Sequence, residues 1–274
     1  MKIHYRFCYL LGLLLVLWGV GWSWFSSKEK LSPSETQHQL AMKYGVSFVA
    51  GNNGVLSKGL TSTELSVLRF KPIGHHSQNV VMQGLQMALK KYSPAFIKNY
   101  LHDIRLTSTL DVQRIAAAGS FSTTTSSIFL AVNSSLDAYG ATYYADTFHH
   151  ELSSLFVYKG PFPVKQWNAL LPAGFHYQRN FYGHCPCYEQ SKHTMSEWHQ
   201  LGFMSDYGAT RLDNDVNTYA EVLFEHPNNM KTLMSRYPTI RNKARLLAQA
   251  YVDQAPHMRS FFEKAYGDSI LKGR

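Results

Sequence analysis

The residues best suited to chemistry lie together in Phe148-His149-His150-Glu151-Leu152-Ser153-Ser154-Leu155-Phe156. A His-Glu-x-x-His spacing on a helix sets two imidazoles one turn apart on a single metal ion, and the Glu polarises the metal-bound water. His150 and Glu151 fill the first two places, but Ser154 stands where the second His belongs. A neutral hydroxyl is a poor zinc ligand beside an imidazole, thiolate or carboxylate. On strict pattern the motif is one ligand short.

On a helix, Phe148, Leu152, Leu155 and Phe156 make an apolar face, while Asp146, His150 and Ser154 follow one another a turn apart on a different face. Two readings of that polar row stay open. It is either a satisfied core network or one wall of a metal site, with Asp146 as second ligand or as the acceptor that fixes the His150 tautomer. His149 points about a quarter-turn away, since successive helical residues are ~100° apart, and does not easily share a small ion with His150.

Several elements must position these groups. Ser77 is placed to cap a helix over residues 78–91, with Val81, Met82, Leu85 and Leu89 at helical spacing. Ser93-Pro94 opens another helix through Tyr100. Two strand-like runs, 103–106 and 128–132, supply a small sheet. The Ser/Thr cluster at 120–127 reads as a polar edge strand or turn, because no Gly-x-Ser-x-Gly nucleophile elbow occurs in the chain. The motif helix spans about 143–158, a Pro-rich middle follows, and a helix runs over about 215–224. Pro227 and Pro238 each begin a further helix, the last with an apolar stripe of Ile240, Leu247, Ala250 and Tyr251. The order predicts an α+β domain: a small sheet, a central motif helix and a helical C-terminal part.

Downstream of the motif come Leu170-Leu171-Pro172-Ala173-Gly174-Phe175-His176-Tyr177, then Gly202-Phe203-Met204-Ser205-Asp206-Tyr207-Gly208-Ala209, then Asp213-Asn214-Asp215-Val216-Asn217-Thr218-Tyr219-Ala220-Glu221. In this order the chain resembles a group of bacterial zinc-binding metallopeptidases, gluzincin-type proteins related in layout to the anthrax lethal factor catalytic domain. The similarity covers roughly Gln78 to Phe224. It implies a zincin-like fold, zinc as cofactor, His150 as first ligand, Glu221 as third, and Glu151 as general base. It also implies Tyr207 as a tyrosine that steadies the oxyanion, with Asn217 and Ser154 behind the ligands. A ligand replacing the second His would come from His149, Asp146, His176 or His184.

The remaining features set the context. Lys2 and Arg6 precede the uncharged apolar run Phe7–Trp24, which is followed by Ser26-Ser27-Lys28. That is the order of an export signal, and the run is just long enough to span a bilayer. Residues 1–25 are therefore expected to be a signal peptide or membrane anchor, 26–39 a linker containing Pro33, and 40–274 the domain. With positive charge inside, the domain faces the periplasm or exterior. The formal charge of +9 comes from scattered bases without interleaved aromatics, which excludes a nucleic-acid stripe. Cys185-Pro-Cys187, beside His184, lacks the paired spacing of a structural zinc motif, and Cys8 belongs to the leader. His75-His76 and His226 are expected in loops without a chemical role.

Two functions follow from this reading. One is an envelope zinc-dependent metallopeptidase acting on a peptide or protein substrate. The other is a catalytically inactive zincin-fold module that binds or assembles with an envelope protein partner.

Overall fold

A computed structural model describes residues 32–74, 76–177 and 193–271. The expected leader, His75, His184, Cys185 and Cys187 lie outside the described residues. Among the described residues, no helix is long and apolar enough to cross a membrane.

The architecture is mixed α+β. Six strands form one sheet: β1 (Ser47–Val49), β2 (Leu68–Pro72), β3 (Asp103–Val112), β4 (Ile115–Ala116), β5 (Gly119–Ser122) and β6 (Ser127–Ala131). The first half of β3 pairs in parallel with β1 and β6, and its second half pairs antiparallel with β2 and β4. β5 pairs antiparallel with β6 at the end of the β1-β3-β6-β5 order, so the Ser/Thr cluster does form an edge strand and its turn. β6 is buried throughout: Ile128 and Leu130 enter the main core, while Phe129 and Ala131 join a smaller cluster with Leu68 and Leu110. This explains its unbroken apolar run.

β3 extends six residues beyond the expected Leu106, because Thr107–Val112 mixes polar with apolar residues and draws its order from cross-strand partners rather than from a core run. The β3–β4 turn places Gln113 and Arg114 at φ 53° and 70°, without the Asn-Gly or Asp-Gly signal that usually marks such a turn.

The helices are α1 (Pro33–Tyr44), α2 (Asn53–Leu56), α3 (Ser62–Val67), α4 (Asn79–Leu89), α5 (Pro94–Tyr100), α6 (Ser134–Asp137), α7 (Ala141–Lys159), α8 (Val164–Asn168), α9 (Met195–Leu201), α10 (Leu212–Glu225), α11 (Pro227–Arg236), α12 (Pro238–Gln254) and α13 (Arg259–Tyr266). The linker expected over 26–39 ends earlier than Gln39. Ser32 and Glu35 form a capping box with Pro33 at the first helical position, and Leu40 and Tyr44 of α1 enter the core. α4 is shorter than expected and begins without a side-chain cap, since Ser77 lies before Gln78, the residue at the cap position. Ser93 caps α5, and the prolines start α11 and α12 where the sequence places them.

α7 and α10 run through the centre of the domain. From Tyr144 to Phe156 nearly every residue of α7 is buried, as is Asp213 to Ala220 of α10. Helices buried on all sides leave their polar side chains no water, so each such group must find a partner on the facing helix. α4 approaches closely enough that a methyl group on Gly84 would lie 2.7 Å from Tyr144 Cβ. Any larger residue there would push α4 away from α7.

Candidate functional site

The seam between α7 and α10 is antiparallel and polar. Rising residue numbers on α7 meet falling numbers on α10: Asp146 faces His226 just past the helix, His149 faces Glu225, His150 faces Glu221, and Ser153 with Ser154 faces Asn217.

The buried rungs are closed. His149 is fully buried, accepts from the Tyr92 hydroxyl at Nδ1 (2.7 Å) and donates from Nε2 to Glu225 (2.8 Å). Burial drives its pKa down to about 4, leaving a neutral imidazole with a fixed tautomer. Burial alone would raise Glu225, but its bonds from His149 and Lys91 (Lys91 Nζ at 2.5 Å) hold it at about 2. Asn217 clasps both serines, accepting from Ser153 Oγ at 2.5 Å and donating to Ser154 Oγ at 2.7 Å. The hydroxyl where the second histidine belongs is thus fully buried and engaged.

The outer rungs are open to solvent. His150 Nδ1 meets Glu221 Oε1 at 2.5 Å, with side-chain exposures of 14% and 30%. Burial would depress His150, but the Glu221 bond and the charges of Glu151, Glu221 and Asp213 outweigh it and raise the imidazole to about 9. The Tyr207 ring stacks on His150 with centroids 5.8 Å apart. Glu151 lies beneath edge strand β5: a methyl on Gly119 would sit 2.8 Å from its Oε1. Burial raises Glu151 to about 7, with Asp213 and Glu221 adding to it against the opposing charge of His150. Among the described residues, none hydrogen-bonds this carboxyl.

The structure therefore brings His150, Glu151, Glu221 and Tyr207 to one place. It does not bring the other named residues there. Asp146 neither binds with His150 nor fixes its tautomer; both its oxygens lie 3.0 Å from His226 Nε2. Burial raises Asp146 to about 6 against that bond. One turn of spacing put Asp146 on the His150 side of α7, but the facing helix decided its partner. His226, expected to do nothing, is that partner. Both ring nitrogens of His149 are engaged, and Ser154 and Asn217 bind one another. His176 is exposed on the Pro-rich segment.

A catalytic zinc takes three protein ligands and leaves a fourth position for water. Among the described residues, no three His, Cys, Asp or Glu side chains converge on a common ion position. His150 and Glu221 offer two donors, and Ser154 and His149 are already committed elsewhere. The described residues do not complete such a site.

Asp213 lies near enough for its charge to act on His150 and Glu151, and it pairs with Arg211, which carries no motif signal. Arg211 Nε donates to Asp213 Oδ1 at 3.0 Å, and Arg211 Nη2 donates to the Tyr158 hydroxyl at 2.9 Å. Tyr158 stands two turns after Glu151 on the same face of α7. That i, i+7 relation was the one available sequence signal.

Behind the site, Lys243 and Asp215 form a fully buried ion pair at 2.6 Å. Trp167 and Tyr177 also donate to Asp215 Oδ2, and the Lys243 ammonium lies over the Phe203 ring. This cluster joins α10 to α12 and to the Pro-rich segment. It fixes the helix that carries Glu221.

No protein-family model and no curated protein matches the chain. A solved structure from Bacteroides caccae ATCC 43185, described as a "putative zinc-binding metallo-peptidase", is similar at 15% identity and a TM-score of 0.47. The match covers 91% of this chain and 98% of that one.

Proposed function

We propose that this chain is an extracytoplasmic peptide-bond hydrolase with Glu151 as the base that takes a proton from the attacking water. One observation carries the reading. A buried carboxyl with no described hydrogen-bond partner, raised to about 7, faces a solvent-open His150–Glu221 pair. A base tuned near neutral pH beside a second titratable pair is the arrangement that proton transfer requires. In this reading His150 holds a proton against Glu221 at the reacting centre. Tyr207, stacked on His150, steadies the carbonyl oxygen as it gains charge. Among the described residues, His150 and Glu221 are the two donors that a zinc ion would meet here.

A second reading, an inactive module that binds an envelope protein, is favoured by the Ser153–Asn217–Ser154 clasp. It fills the second-ligand position with a closed structural contact.

The test compares the full-length chain with Glu151→Gln, His150→Ala and Glu221→Ala on a mixed peptide library, with zinc content measured alongside. Turnover lost in Glu151→Gln, with melting temperature preserved, supports the hydrolase. About one zinc per parent chain, lost from both ligand variants, would place the third donor outside the described residues. No turnover in the parent, with or without added zinc, leaves the binding module.

A further inference from the structure

Asp215 and Lys243 lie away from water, and nothing in the proposed hydrolysis uses them. Both side chains are fully buried, and Lys243 Nζ lies 2.6 Å from Asp215 Oδ2. The rings of Phe203, Trp167 and Tyr219 stand 4.4, 5.2 and 5.6 Å from Nζ, so aromatic surface walls it in. The carboxyl group is used unevenly. Oδ2 accepts from Lys243, from Trp167 Nε1 at 2.9 Å and from the Tyr177 hydroxyl at 2.6 Å. Oδ1 is buried and accepts from no described residue. An ionised carboxylate spreads its charge over both oxygens, so a buried Oδ1 without a donor is unfavourable. Burial pushes the Asp215 carboxyl up and the Lys243 ammonium down against their mutual attraction, both toward the neutral acid and amine.

We propose that Lys243 and Asp215 condense into an isopeptide bond that ties α12 covalently to α10. The pair first exchanges a proton, which leaves a neutral amine beside a carboxylic acid. The amine lone pair attacks Cγ, and the charge that develops on Oδ2 is held by the Trp167 N–H and the Tyr177 hydroxyl. Oδ1 departs as water with two of the three protons that Nζ carried. The third stays on the amide nitrogen, facing the Gly202 carbonyl that Nζ already meets at 2.9 Å. Nothing is oxidised or reduced, and no co-reactant is needed. The product keeps the oxygen that has donors and loses the one that has none. It also removes two charges from a site without water, where each is unfavourable even when paired. Fixed contact between the two groups replaces a chance encounter. The bond does not rest on the hydrolase reading, although it would lock the helix that carries Glu221.

The test is mass spectrometry of the full-length chain, purified, reduced and denatured. The condensed chain is lighter than its sequence by one water. Trypsin cuts after Arg211, Lys231, Arg241 and Arg245 but not after an acylated Lys243, so residues 212–231 should emerge joined to residues 242–245. Lys243→Met and Asp215→Ala should each restore the full mass. Trp167→Phe and Tyr177→Phe keep both reacting groups but remove a donor from Oδ2, and each should lower the joined fraction in freshly folded chain.

Joined peptides in the parent support the bond even if a variant fails to fold, because the reading is taken on the parent. Full sequence mass in the parent, with the two peptides separate after long incubation of the folded chain, overturns it. So does a lost water that maps elsewhere, as in a succinimide within one peptide, because the two segments then stay unjoined. Joining that is undiminished when Trp167→Phe and Tyr177→Phe are combined keeps the bond and overturns the part given to those two donors.

Discussion

His149 and His150 are neighbours on one helix, and each meets a glutamate of the facing helix, yet the two pairs are driven in opposite directions. His149 is sealed in the core, its glutamate is already neutralised by Lys91, and its pKa falls to about 4. His150 is partly open, faces Glu151, Glu221 and Asp213 together, and rises to about 9. The difference is not in residue type. It comes from whether the surroundings hold more negative charge than one imidazole can answer, and from how much water remains. The first pair behaves as a structural bond with a fixed tautomer. The second has the exposure and the uncompensated carboxylates of a reactive site.

The largest expected effect tests the structural pair. Glu225→Ala would leave His149 without its acceptor and Lys91 without its carboxylate, costing about 2–3 kcal/mol. For a domain of this size that is a fall of ~5–10 °C in melting temperature, read by calorimetry. The same pair should govern acid stability. His149 and Glu225 both have folded pKa values below their ordinary ones, so the unfolded chain binds the extra protons and their stabilisation is complete above about pH 6.5. It is lost as pH falls through about 4 and then toward 2. His149→Phe should remove the part of that slope between pH 6.5 and 4, seen as the difference between two melting curves taken across pH.

A smaller loss is expected at the clasp. Ser154→Ala leaves the buried Asn217 amide one acceptor short and should cost about 1–2 kcal/mol. No loss at all would mean that the position is not structurally committed, and a place for a metal ligand would reopen. The smallest effect should be at His150. His150→Ala returns a part-exposed Glu221 to water and should change stability by less than about 1 kcal/mol while ending hydrolysis. If it destabilises the chain as much as Glu225→Ala does, the contrast between a structural and a reactive pair fails.

The sequence determined the helices and much of the core. The 3.6-residue recurrence of Phe148, Leu152, Leu155 and Phe156, the Ser93 cap, the two helix-opening prolines and the apolar run of β6 are local patterns, and each became the element it predicts. His150, Glu151 and Glu221 were legible as a group only through a resemblance, and the fold does set His150 and Glu221, 71 positions apart in the chain, in contact. Tertiary structure alone decided the partners. Helical spacing states which residues share a face, but not which residue of the facing helix arrives there. Asp146 therefore turned to His226, and Ser154 to Asn217. Arg211 stayed invisible for the same reason: Asp213 and Tyr158 meet it together only in the folded chain. The pKa values of His149 and His150 likewise follow from burial and from charges on other elements. One sequence pattern, an imidazole beside an imidazole, thus became two different chemical groups.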